Sequence, residues 1–222
     1  SIYYEGEGIT RDIDKAIHYF TLAASQNDQQ AQLYLGAIFS ESQYVKRDIN
    51  KAIYYYTLSA NQNNIEAQYM LGVIYHDGIY VTRNIDKSIH YFTLAADQNN
   101  PKALFNLGVI YYKGHYVTCD INKAIHYFQI AANQNNLEAQ IYLGFIYYEG
   151  KYTEKDINKT IYYFSLAANQ NNPEAQYYLG AIYCNEEYSS YDINKSIHYL
   201  TLSANQNHPY AQLVLGFIYS KN

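Results

Sequence analysis

Histidines, thiols and a carboxylate between glycines are the groups in this chain that could do chemistry, and their spacing decides whether they can. His18, His90, His126 and His198 occupy one slot of a pattern that returns every 36 residues. Metal ligands must converge within about 2 Å of a single ion. A slot that returns once per repeat recurs on the order of 10 Å apart, the spacing of packed helices. The four imidazoles are therefore read as amphipathic rings on a helix face, and no metal is expected. Cys119 and Cys184 stand in unrelated slots, with no His or Asp placed to activate either thiolate. Gly6-Glu7-Gly8 is too short for a phosphate-cradling loop. Asn158-Lys159-Thr160 and Asn194-Lys195-Ser196 have the form of glycosylation acceptors, but the sister slots read Asn-Lys-Ala and the third residue is expected to face a core. No carboxylate pair is placed to share acid–base work. The expectation is a protein that is not an enzyme and holds no cofactor.

The bulk properties narrow the class further. With 49% hydrophobic residues the 222-residue chain is globular rather than disordered. Its net charge of −5 is spread without a run of five like charges, which argues against a phosphate backbone as partner. Two cysteines make no disulfide framework and suit a reducing compartment, so a cytoplasmic setting is expected. No apolar run approaches the ~20 residues of a membrane span. The 30 tyrosines come with abundant Ile, Asn and Lys, a bias that AT-rich codons explain without function.

These residues sit on a repeating frame. Leu-Gly marks it at Leu35-Gly36, Leu71-Gly72, Leu107-Gly108, Leu143-Gly144, Leu179-Gly180 and Leu215-Gly216, always 36 apart. A fixed period of this size signals stacked supersecondary units. Each repeat holds two helical patterns. Ala175, Leu179, Ile182 and Tyr183 share one face of a helix from about Pro173 to Tyr183. Ile157, Thr160, Ile161 and Phe164 share one face of a second, from Ile157 to Asn169. Asp12, Asp48, Asn84, Asp120, Asp156 and Asp192 are placed as N-caps of the second helix. Asn27, Asn63, Asn99, Asn135, Asn171 and Asn207 are placed to close it in the left-handed conformation. Pro101, Pro173 and Pro209 fit the first turn of the helix that follows. The unvarying Ala31, Ala67, Ala103, Ala139, Ala175 and Ala211, with the Leu-Gly glycines, predict close helix crossings. Ile38, Ile74, Ile110, Ile146, Ile182 and Ile218 read as core.

The order Ala-x3-Leu-Gly-x2-Tyr-x2-Gly, then Val-x2-Asp-x2-Lys-Ala, then Tyr and Ala-Ala, resembles the Sel1-like repeat, a relative of the tetratricopeptide repeat. The first repeat shows it best, in Tyr3, Gly6, Gly8, Ile9, Asp12, Lys15, Ala16, Tyr19, Ala23 and Ala24. Tyr44, Tyr80, Tyr116, Tyr152 and Tyr188 replace the family's second loop glycine, His or Tyr fills a usually aromatic slot, and Asn replaces its closing glycine. The resemblance implies an all-α fold, a right-handed α-solenoid superhelix of about six 36-residue helix-turn-helix repeats, with residues 1–222 forming a single array. Because Ser1–Gly6 and Phe217–Asn222 fill the same slots, the array is expected to be a window of a longer one. Secreted, cysteine-rich relatives described as penicillin-binding or penicillin-hydrolysing are a less favoured alternative, since they carry a cysteine pair in each repeat, which this chain lacks.

The resemblance also implies that the first helix of each repeat lines a concave side. Its exposed slots form rows: Leu33, Tyr69, Phe105, Ile141, Tyr177 and Leu213; Ala37, Val73, Val109, Phe145, Ala181 and Phe217; Ser40, His76, Tyr112, Tyr148 and Cys184. Edged by Glu138, Glu149, Asp77 and Lys113, these rows would suit a bound peptide or protein, with Tyr69, Phe105, Tyr112, Glu138, Ile141, Phe145, Tyr148 and Tyr177 as the candidate contacts. A protein-binding scaffold or adaptor is the leading expectation. The alternative is a structural component of a large assembly, for example cytoskeletal. An RNA-reading helical repeat would need cations along the groove, where Glu66, Glu138 and Glu174 stand instead.

Overall fold

Each long loop ends at a side chain that opens the next helix. Asp156 is extended (φ −133°) and its Oδ1 accepts the Lys159 N–H at 2.9 Å. Asp12, Asp48, Asn84, Asp120 and Asp192 cap in the same way, each from the N–H three residues on. Such a cap satisfies a first-turn donor that has no intrahelical partner, worth about 1 kcal/mol. The other end is closed by asparagine. Asn27, Asn63, Asn99, Asn135, Asn171 and Asn207 all have positive φ, between 61° and 66°. At Asn171 the N–H reaches the Ala168 carbonyl at 2.9 Å, and the Asn172 N–H reaches Ala167 at 3.2 Å. That pair of bonds is the Schellman arrangement, which uses carbonyls the helix leaves open.

The following residue then caps the next helix. Asn172 Oδ1 accepts the Ala175 N–H at 2.8 Å, and Asn64, Asn100, Asn136 and Asp28 do the same. In each Asn-Asn pair one residue closes a helix and its neighbour opens another.

The structure, a computed structural model, describes residues 12–40 and 45–220. Gly6-Glu7-Gly8, the rest of the segment before Asp12, and Tyr44 lie outside the described residues. Among those described there are twelve helices and no strand. The A helices are α2 (Gln29–Ser40), α4 (Ile65–Asp77), α6 (Pro101–Lys113), α8 (Leu137–Glu149), α10 (Pro173–Cys184) and α12 (Pro209–Ser220). The B helices are α1 (Ile13–Ser25), α3 (Ile49–Ala60), α5 (Ile85–Asp97), α7 (Ile121–Asn133), α9 (Ile157–Asn169) and α11 (Ile193–Asn205). The chain forms two compact halves, Ser1–Leu107 and Gly108–Asn222. In the first half α2 packs on α3 and α4 on α5, and these hairpins join through α3 on α4. In the second, α8 packs on α9 and α10 on α11, joined through α9 on α10.

The glycines sit where the helices of a hairpin cross. A Cβ at Gly36, Gly72, Gly108 or Gly144 would lie 2.4–2.5 Å from a ring atom of Tyr56, Phe92, Phe128 or Phe164, and one at Gly180 would lie 2.5 Å from Leu200. A B-helix ring thus rests directly on A-helix backbone. Tyr56, Phe92, Phe128 and Phe164 are at most 1% exposed, and burying each contributes about 1.5–3 kcal/mol. The close crossings read from the Leu-Gly glycines are present at these five, whereas a Cβ at Gly216 would meet nothing within 4 Å.

Polar groups are buried too, and they are paired. Gln32, Gln68, Gln140 and Gln176 are at most 1% exposed. Each donates to the carbonyl eight residues back, on Ala24, Ala60, Ala132 and Ala168. Each also accepts at 2.8 Å from the glutamine thirty residues on, Gln62, Gln98, Gln170 and Gln206. A buried amide that makes these bonds avoids the cost of an orphaned one. Leu104 holds this slot in α6 and is apolar there.

Candidate binding surface

The A helices α2, α4, α6, α8 and α10 turn Ala, Leu and Gly inward, which leaves one stripe at i, i+3, i+7 and i+10. In α8 the stripe is Glu138, Ile141, Phe145 and Tyr148, and in α10 it is Glu174, Tyr177, Ala181 and Cys184. Glu138, Glu174 and Glu149 are exposed, while Ile141, Phe145, Tyr148 and Tyr177 are half-buried.

The second half gathers most of the residues expected to bind. Phe145 lies 4.9 Å from Tyr178 and 5.2 Å from Phe164, edge-on to both. Tyr148 lies 5.8 Å from Tyr178, and Tyr177 lies 5.2 Å from it. Tyr178 is therefore the hub of three candidate rings. Ile141 packs on the same core, against the cluster of Phe164, Ala167 and Leu179. Tyr112 forms a separate group, edge-on to Tyr142 and Tyr152 at 5.7 Å each. Tyr177 also stacks on His208 at 4.8 Å. In the first half Tyr69 lies 5.8 Å from Phe92, with the Lys102 ammonium 5.8 Å over its ring, and Phe105 is half-buried. Glu138 stays at the rim.

Charge reaches these rings. Burial first, then the Glu149 carboxylate, pushes the Tyr112 hydroxyl above its ordinary pKa. Burial, then Glu174, does the same to Tyr178, and Tyr69 is raised mainly by burial. Offset and edge-on ring pairs of this kind contribute about 0.5–1.5 kcal/mol beyond their buried area, so the surface is pre-organised rather than loose.

Two participants lie outside the rows expected from sequence, Tyr142 and Tyr178. Each follows a stripe residue by one position and turns toward the seam between A helices. The signal in the sequence is the slot they share with Tyr34.

The residues whose side chains could do catalysis or bind metal are placed apart. His18, His90, His126 and His198 are exposed on the B helices, each edge-on or tilted against the tyrosine that follows it. Among the described residues no three His, Cys, Asp or Glu groups are near enough to share a metal ion. Cys119 is exposed, with its thiol 3.4 Å from the Tyr112 carbonyl. In the sequon-like triplets Asn158 and Asn194 are exposed, whereas Thr160 and Ser196 face the core and are buried. Among the described residues no helix is long and apolar enough to cross a membrane.

The Sel1 repeat model matches residues 1–28, 29–64, 65–100, 101–136, 137–172 and 173–208. Among solved structures the chain is similar to c5321, a protective antigen present in uropathogenic Escherichia coli strains and displaying an SLR fold. The identity is 31% and the TM-score 0.86, over 99% of this chain and 47% of that one. It is also similar to a Sel1 repeat protein from Oxalobacter formigenes, at 30% identity and TM-score 0.81, over 98% of this chain and 63% of that one. The chain thus spans less than two thirds of either relative. No curated protein sequence matches it.

Proposed function

The chain belongs to the Sel1 repeat family, and from that premise we propose that it is a non-catalytic protein-binding scaffold, taking a peptide or protein segment along the stripes of its A helices. The contacts are Glu138, Ile141, Phe145, Tyr148 and Tyr177 in the second half, continued by Tyr112, with Tyr69 and Phe105 in the first. One observation carries this reading. The inward slots repeat without change, as in Ala139 and Ala175, Leu143 and Leu179, Gly144 and Gly180, whereas the stripe beside them changes from Ile141 and Phe145 to Tyr177 and Ala181. An unchanging frame presents a changing surface, rich in rings that give large contact area at low entropic cost. Free Cys119 and Cys184 suit a reducing, cytoplasmic setting for that binding.

Co-purification followed by mass spectrometry identifies the partner of the wild-type chain, and substitution tests the face. Tyr148→Ala combined with Tyr177→Ala is expected to weaken that partner at least about tenfold while helicity is kept and the unfolding midpoint falls by only a few degrees. Undiminished binding by the folded double variant would reject the face. A partner that stays bound through high salt and ignores the substitution would identify a structural component of a larger assembly instead.

A further inference from the structure

The seam between α8 and α10 is filled by the chain's own rings. Tyr148 lies against Tyr178. The Lys155 ammonium sits 5.1 Å from the centre of the Tyr148 ring and 5.4 Å from that of Tyr188, and donates to Tyr188 Oη at 3.0 Å. A cation is thus shared by two phenol rings.

Among the described residues, the seam between α2 and α4 has the same slots with one ring fewer. Arg47 stands for Lys155, Tyr80 for Tyr188, and Ser40 for Tyr148. The Arg47 guanidinium carbon lies 4.3 Å over the Tyr80 ring, and Arg47 Nε donates to the Ser40 carbonyl at 2.8 Å, which fixes the plane in place. Where the fifth repeat has a second ring, this seam has a cleft of about 150 Å³ lined by Ser40, Arg47, Val73, Ile74, Asp77 and Tyr80. A volume of that order is enough for one benzene ring.

We propose that this cleft is a binding site for one aromatic side chain of a protein partner, whose ring stacks on Arg47 as Tyr148 does on Lys155. The proposal rests on the reading that the A-helix stripes meet a protein, since Ser40 is a stripe residue, and it names the anchor that partner carries. Electrostatic complementarity selects the occupant. A ring face is negative and attracts a guanidinium, and arginine stacks on such faces readily. Val73 and Ile74 give the ring edge apolar walls. The Asp77 carboxylate at the rim, whose Oδ1 lies 3.0 Å from His76 Nδ1, repels an acidic side chain and leaves its second oxygen for a phenol or indole donor.

The test uses p-cresol, the side chain of tyrosine, titrated into the methyl-labelled full chain while the Val73 and Ile74 methyl resonances are followed. Saturable shifts at both are expected, with 4-methylcyclohexanol at least about threefold weaker because it lacks a π face. Ser40→Tyr supplies the chain's own ring, so it should abolish the shifts and melt no lower than wild type. Arg47→Ala, which removes the cation and keeps the walls of Val73 and Ile74, should weaken p-cresol by a similar factor and serves if Ser40→Tyr does not fold. No saturable shift, equal affinity for the saturated analogue, or unchanged binding by either folded variant would overturn the proposal. These readouts need no protein partner, so their failure strikes the cleft alone, while failure of the Tyr148 and Tyr177 test strikes the face.

Discussion

Tyr147 and Tyr148 are neighbours in sequence and opposite in role. Tyr147 is 6% exposed and stacks on Tyr163 at 5.9 Å with only 5° between the planes, while Lys159 lies 4.7 Å over its ring. Phe39–Tyr55, Tyr75–Tyr91, Tyr111–Tyr127 and Tyr183–Tyr199 repeat that stack at 5.9–6.0 Å and within 12° of parallel. Lys51, Lys87, Lys123 and Lys195 repeat the cation over it. The slot of Tyr148 keeps no fixed type, since it holds Ser40, His76, Tyr112, Tyr148, Cys184 and Ser220 in turn. A ring that closes its own hairpin has one geometry to satisfy in every repeat. Under the proposed function a ring on the stripe answers to the partner it meets, so residue type drifts there while the backbone does not.

The sharpest way to break this contrast is to enlarge a crossing. Gly108→Leu places a side chain where a Cβ alone would stand 2.5 Å from the Phe128 ring, and should cost about 3 kcal/mol, read as a large drop in the unfolding midpoint. Gly216 holds the same slot in α12, but a Cβ there would meet nothing within 4 Å. In the 222-residue chain Gly216→Ala should therefore gain up to about 1 kcal/mol from helix propensity. Equal responses at the two sites would mean that the slot, and not the ring lying on it, sets the cost.

Truncating the two neighbouring tyrosines has a smaller effect and tests the contrast directly. Tyr147→Ala removes a buried ring from a stack and should cost about 3 kcal/mol in denaturant unfolding. Tyr148→Ala should cost about 1 kcal/mol, the worth of its ring contacts at a half-exposed site. If Tyr148→Ala proves as damaging as Tyr147→Ala, the stripe rings belong to the frame.

The helices, their caps and their closing asparagines were legible because each is set by chemistry within four residues, and six copies of the signal reinforce one another. The glycine crossings were legible because a small residue that returns at a fixed period inside a helix marks a place where a larger one would not fit. What stayed hidden depends on partners distant in sequence. Gln140 looks like any polar helix residue until Gln170, thirty positions on, is seen to donate to it. The second Asn of each pair looks redundant until the loop geometry turns its side chain onto the next helix. Periodicity places Ile141 and Phe145 on a stripe, but the hub Tyr178 sits one position off the stripe of its own helix, and only the packing of α8 against its neighbours shows which rings it joins.

The frame extends to its caps, and there the chain supplies its own control. Asp156 receives the Lys159 N–H, and Lys159 in turn approaches Asp156 at 3.4 Å while lying over Tyr147. The bond from Lys159 N–H holds the Asp156 carboxyl below its ordinary pKa, opposed by slight burial and helped by the lysine charge. A lowered carboxyl pKa means stability that is complete above the unfolded value, about 3.9, and is lost as pH falls through the folded one. Asn84 makes the same cap without a charge, and Lys87 still lies 4.9 Å over Tyr75. The cap therefore needs an oxygen, and the lysine does not need the carboxylate to find its ring. Asp156→Asn should stay within about 0.5 kcal/mol of wild type at neutral pH and lose less stability between about pH 5 and 2, measured by denaturant melts across that range. A variant that is strongly destabilised at neutral pH would show that the ion pair holds the stack, and the aromatic frame would then be electrostatic where its neighbour with Asn84 is not.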